Sequence, residues 1–129
     1  MNWDKNYFVV QVFSKTELAK YKKSAGRDLA IALSNPEIEV QFHFAYMALV
    51  KIGIYLIAKE GYRVKSRPGH HVKIIEALSD LCQSEEILLI GDKMRKDRNL
   101  DLYGGDSYYS QDETSVFLHK INDLYQSLD

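Results

Sequence analysis

Arg95, Arg98, Asn99 and Tyr103 gather, within nine residues, the side chains that grip phosphate. A guanidinium presents a planar fork that matches phosphate oxygens two at a time, and an amide and a phenol add neutral hydrogen bonds. On a helix, residues four apart share a face, so Asn99 and Tyr103 meet and Arg98 sits beside them. Gly104 and Gly105 follow and stop the helix, because glycine takes the left-handed C-cap conformation without steric cost. Lys93 and Lys96 add positive charge, offset by Asp92, Asp97 and Asp101.

A second basic stretch, residues 59–73, holds five Lys/Arg (among them Lys65 and Arg67) against the single acid Glu60. Within it Pro68, Gly69, His70 and His71 open a helix, and free N–H groups at a helix start attract anions. Adjacent histidines diverge on a helix, and Cys82, His43 and His119 supply no converging set, so no metal site is expected. Cys82 has no activating neighbour in sequence and reads as a buried filler. No phosphate loop, dinucleotide fingerprint or nucleophile elbow is present, and no cofactor is expected. Tyr108 and Tyr109 are candidates for stacking on bases.

The elements that must carry these groups are helical. Ser14 and Glu17 form a capping box, after which Leu18, Tyr21, Ala25, Leu29 and Leu33 recur at helical spacing up to Ser34. Asn35, Pro36 and Glu37 read as cap, first position and first turn of a second helix. Its residues Ile38, Phe42, Ala45, Leu49, Ile52 and Leu56 form one apolar stripe, and Tyr46, Val50, Gly53 and Ile57 a second, so it is buried on several sides. Gly61 ends it. A third helix from about His70 buries Ile74, Ile75, Leu78 and Leu81. Ser84 caps a fourth, with Ile87, Ile90 and Met94 inward. Ser110 and Glu113 start a fifth, lined by Phe117, Leu118, Ile121, Leu124 and Tyr125. Residues 7–13 have strand character but no visible strand partner, so residues 1–13 are expected to be an arm or an extra helix. Residues 62–69 read as a basic connector. The sum is an all-α, antiparallel bundle of four to five helices in one domain over residues 1–129.

The chain has 129 residues and 46% hydrophobic residues, enough for one packed core. Its net charge of −1 conceals an asymmetry. Residues 1–75 carry 12 Lys/Arg against 6 Asp/Glu, a net of +6, and residues 76–129 carry 5 against 12, a net of −7. No global nucleic-acid footprint exists, so any anion site is local. One cysteine and no signal-peptide pattern point to a reducing, cytoplasmic setting. The apolar run from Phe42 to Ala58 contains His43 and Lys51 and falls short of the roughly 20 residues a bilayer needs, so no membrane association is expected.

Three segments in order resemble a HEPN domain, a family of small helical bundles found in prokaryotes and higher eukaryotes. Helix two carries Phe44, Ala45, Tyr46, Met47, Ala48 and Leu49 and runs into Glu60, Gly61, Tyr62 and Arg63. Gly69, His70 and His71 then open helix three, and Arg98 and Asn99 are followed by Tyr103 and Gly104. The likeness covers most of residues 15–128. In that family an Arg is followed by a polar residue and, about five positions after the Arg, a His. Arg98 and Asn99 match the first two, and Tyr103 stands where the His is expected. A phenol with a reference pKa of roughly 10 is a poor base at neutral pH. The resemblance implies a homodimer that binds RNA or nucleotide through Arg98, Asn99 and Tyr103, flanked by Arg95, Arg67, Lys65, His70 and His71. As alternatives it implies a metal-independent RNase of a toxin–antitoxin pair, for which Arg98, Asn99 and Tyr103 would be the catalytic trio, or a partner module for a small nucleotidyltransferase.

Overall fold

The computed structural model describes the backbone of residues 1–102 and 110–129, and the side chains of 1–99 and 110–129. The elements follow in the order β1 (Phe8–Val10), α1 (Lys15–Ser34), α2 (Ile38–Lys59), β2 (Tyr62–Val64), α3 (His70–Cys82), α4 (Glu85–Leu102) and α5 (Gln111–Gln126). Among the described residues the architecture is a mostly helical bundle of five helices with one small sheet.

Helix α2 is the axis. Its residues are apolar around most of the circumference, and Phe42, Tyr46, Leu49, Ile52 and Ile57 are fully or almost fully buried. It packs on α1, α3, α4 and α5 and on β2. By length and composition α2 is able to cross a bilayer. The helix is longer than its apolar run, and the surrounding helices cover it. A three-residue link returns α1 along α2, and the Lys51 ammonium meets the buried Asp28 carboxylate at 2.7 Å between them.

Local chemistry fixes the helix ends. The Ser14 hydroxyl accepts from the Glu17 N–H at 3.1 Å, and the Glu17 carboxylate accepts from the Ser14 N–H at 2.9 Å. Ser84 accepts from the Ile87 N–H and Ser110 from the Glu113 N–H, which satisfies helix-start donors on α4 and α5. The second helix begins later than its Asn-Pro-Glu start implied. Asn35 instead caps a turn, its carboxamide oxygen accepting from the Glu37 N–H at 2.9 Å, and regular helix begins at Ile38. Leu81 is half-buried, at the edge of the core rather than within it.

The N-terminal segment is neither an extra helix nor an unpaired arm. Residues 8–10 pair antiparallel with 62–64, in the register Phe8 to Val64, Val9 to Arg63 and Val10 to Tyr62. The stretch read as a connector therefore contains the missing partner strand. Trp3 reinforces the pairing by stacking on Tyr62 at 4.2 Å and meeting Phe8 edge-on at 5.0 Å.

Helix α3 is wedged between α2 and α4 at two glycines. A Cβ on Gly53 would stand 2.5 Å from Ile74 Cγ2, and one on Gly91 would stand 2.6 Å from Ile75 Cγ2. These close approaches bring the start of α3 against the C-terminal half of α4.

Candidate functional site

The loop between β2 and α3 is strapped down from below by the N-terminal segment. The Lys65 N–H donates to the Tyr7 carbonyl at 2.6 Å, Arg67 Nη1 donates to the Asn6 carbonyl at 2.8 Å, and the Tyr7 hydroxyl donates to the Pro68 carbonyl at 3.3 Å. The Arg67 guanidinium and the Lys73 ammonium also lie over the Tyr7 ring, at 5.0 and 5.2 Å. Gly69, at φ 84°, then turns the chain sharply into α3, a conformation that glycine adopts at no steric cost.

This loop and α4 enclose a cleft of about 410 Å³. Residues 66–72 form one side, and Arg95, Arg98 and Asn99 form the other. Six of the residues singled out in the sequence thus share one cavity: Arg67, His70, His71, Arg95, Arg98 and Asn99. Lys65 does not join them. Its Nζ donates to the Lys5 carbonyl at 3.0 Å, on the strap. Tyr103, Gly104, Gly105, Tyr108 and Tyr109 lie outside the described residues.

The cleft is cationic and short of counter-charge. Arg95 pairs with Asp92 at 2.9 Å, and the same carboxylate meets Lys96 at 3.0 Å. Hydrogen bonds from Lys96 and Arg95 hold the Asp92 carboxyl below the usual range. The Arg95 Nε is buried with no hydrogen-bond partner among the described residues. No carboxylate among the described residues pairs with Arg67 or Arg98. Arg98 instead lies 5.6 Å over the ring of Tyr46.

Tyr46 is fully buried on α2, and its hydroxyl lies 3.0 Å from His71 Nδ1. Burial pushes its phenol up, against the pull of Arg98 and Arg95. Burial also pushes His71 down to about 4, helped by the charges of His70, Arg98 and Arg95. The ring is therefore neutral at pH 7. The arrangement that satisfies the buried phenol has its O–H donating to Nδ1, which puts the ring's own hydrogen on Nε2. The His70 ring is fixed the other way round. Its Nδ1 lies 2.8 Å from the Arg67 carbonyl, which only accepts, so Nδ1 carries a hydrogen.

In the sequence Tyr46 is one member of an apolar stripe, which hides its polar role. The available signal was chemical: a tyrosine amid aliphatic core residues requires a partner for its hydroxyl. Tyr7 was overlooked because its contacts lie some 60 positions away. Cys82 is half-buried rather than a core filler, and burial raises its thiol pKa, which suits it poorly to nucleophilic attack.

A larger groove of about 560 Å³ runs between α1 and α5, lined by Lys20, Lys23, Arg27 and Tyr125. Its cations project from one exposed helix face, and it gathers no histidine or helix start. The chemistry therefore favours the smaller cleft.

Compared with protein-family models, curated proteins and solved structures, the chain shows no significant match.

Proposed function

We propose that the chain is a HEPN-like bundle that binds RNA or nucleotide phosphates in the cleft between the start of α3 and the C-terminal half of α4. One observation carries the reading: Arg67 and Arg98 line the same cavity with no carboxylate partner among the described residues. Two guanidinium groups held in one cleft repel each other, and an entering phosphate relieves that repulsion while accepting charge-assisted hydrogen bonds. The start of α3 adds backbone donors. The N–H groups of His71 and Val72 have no protein acceptor among the described residues, as at other helix starts that hold anions. Asn99 adds an amide, and Tyr103 belongs to the same motif.

Binding rather than strand cleavage is the reading supported here. The histidine ring bonded to Tyr46, held down to about 4, is a weak base at neutral pH, and a tyrosine occupies the motif's histidine position. A titration of labelled single-stranded RNA at increasing salt tests it. Affinity falls as salt rises, and Arg98→Ala weakens it, whereas Lys20→Ala in the α1–α5 groove leaves it unchanged. RNA binding that ignores salt, or that responds to Lys20→Ala and not to Arg98→Ala, rejects the reading.

A further inference from the structure

The phenol–imidazole bond between Tyr46 and His71 works in either direction. In the neutral ring the Tyr46 O–H donates to Nδ1. In the charged ring Nδ1–H donates to the Tyr46 oxygen and the phenol hydrogen turns away. His71 can therefore gain a proton without losing its buried partner. We propose that His71 is the proton-accepting member of the anion site, so that a doubly charged phosphate or sulfate group enters the cleft together with one proton taken up on this ring. The inference rests on the anion-binding reading of the cleft and goes beyond it by assigning the ligand's charge and the proton it brings.

The geometry around the ring supports this. From α2 it faces Tyr46, and from its own helix His70, whose ring centroid is 4.6 Å away. From α4 come Arg95 and Arg98, and Arg67 lines the same cavity from the loop. Asp92, the ion-pair partner of Arg95, has its two oxygens engaged by Arg95 and Lys96. No carboxylate among the described residues bonds to the His71 ring. Every charged neighbour among the described residues therefore opposes protonation, as does burial. A bound dianion reverses the sign of that local field, because its two charges offset the guanidinium groups beside the ring. The His71 cation, added to the three arginines, then forms only when the ligand arrives. A singly charged phosphodiester offsets less of the field and brings less of a proton, so the cleft favours terminal phosphate over internal diester.

Sulfate is the probe, since it keeps both charges throughout the range tested and does not titrate itself. Its affinity is measured by NMR titration of the intact protein between pH 7.5 and pH 5, with the His71 ring resonances followed in parallel. Affinity rises as pH falls, by up to about tenfold per pH unit. Saturating sulfate moves the His71 midpoint from near 4 toward neutrality. In His71→Asn, whose amide keeps a partner for Tyr46, sulfate still binds at pH 7.5 but the pH dependence is lost, and in His70→Asn it is retained. A wild-type His71 midpoint that saturating sulfate leaves in place overturns the proposal while leaving anion binding intact. So does a His71→Asn protein with the wild-type slope. Failure of the wild type to bind sulfate at any pH removes the anion site itself, and this inference with it. If His71→Asn does not fold, the wild-type ring titration alone decides.

Discussion

Holding His71 neutral makes the free protein acid-sensitive by a calculable amount. The ring's folded value is about 4, against 6.5 for the ordinary group. Between those two values the unfolded chain binds a proton that the native state refuses, so stability rises with pH in that window and is lost as pH falls through it. The loss begins near pH 6.5, is complete below about pH 4, and is absent at pH 7.5. From pH 7 to pH 5 the linkage integral for this shift is roughly 2 kcal/mol, and the full shift is worth roughly 3.4 kcal/mol. The ring is only half-buried, so solvent screening reduces the first figure to about 1 kcal/mol. Other groups titrate over the same range, so the informative quantity is a double difference. Urea unfolding midpoints are measured at pH 7 and pH 5 for the wild type and for His71→Asn. The variant should lose about 1 kcal/mol less than the wild type on acidification. Equal losses in the two proteins, with unchanged m-values, would refute the placement of this ring among Tyr46, Arg95 and Arg98.

The glycine wedge gives a second expectation. In Gly91→Ala the new methyl meets three atoms of Ile75, at 2.6, 3.2 and 3.2 Å, and the close one is a branch methyl with little freedom to move. Overpacking toward the upper end of about 1–3 kcal/mol, expected where a branch methyl blocks the new one, outweighs the gain in helix propensity of about 1 kcal/mol, so stability falls by up to about 2 kcal/mol. Thermal unfolding should show this as a drop of about 4 °C per kcal/mol, and a variant as stable as the wild type would contradict the packing of α3 on α4. The third concerns the buried ion pair. Lys51→Met strips the partner from Asp28, whose side chain is 5% exposed, and should cost about 2–3 kcal/mol in urea unfolding. Adding Asp28→Asn to that variant should restore part of the loss, because the uncompensated charge is then gone.

Much of the bundle was legible because its signals are local. The Ser14 box, the apolar steps of α1 and the wide stripe of α2 each lie within one element, and each appears where its spacing placed it, except that Leu33 at the end of the α1 series is exposed. The strand pair was illegible for the opposite reason. Residues 7–13 show strand character, but the three residues at 62–64 carry too little alternation to announce their partner, which lies 52 positions on from Val10. The start of α2 was misplaced because Asn35 serves equally well as a helix cap and as the head of a turn. The site divides in the same way. Arg95, Arg98 and Asn99 were visible as one helix face, and Arg67 with His70 and His71 as a basic helix start. Nothing in the sequence states that the two segments meet, because that depends on the closeness Gly53 and Gly91 allow. Lys65 was grouped with them by charge alone, and the strap of residues 5–7 draws its side chain elsewhere. The Tyr46–His71 bond, spanning 25 positions, is tertiary in origin.

Everything functional rests on Arg98 lining the cleft with no carboxylate partner among the described residues. The direct measurement is the affinity of a short 5′-labelled single-stranded RNA for the wild type and for Arg98→Ala, by fluorescence anisotropy across a series of salt concentrations. Loss of one charge-assisted phosphate contact should weaken binding by about tenfold or more at low salt. It should also flatten the plot of log affinity against log salt by about 0.7. Equal affinities and equal slopes for the two proteins would show that this guanidinium holds no phosphate.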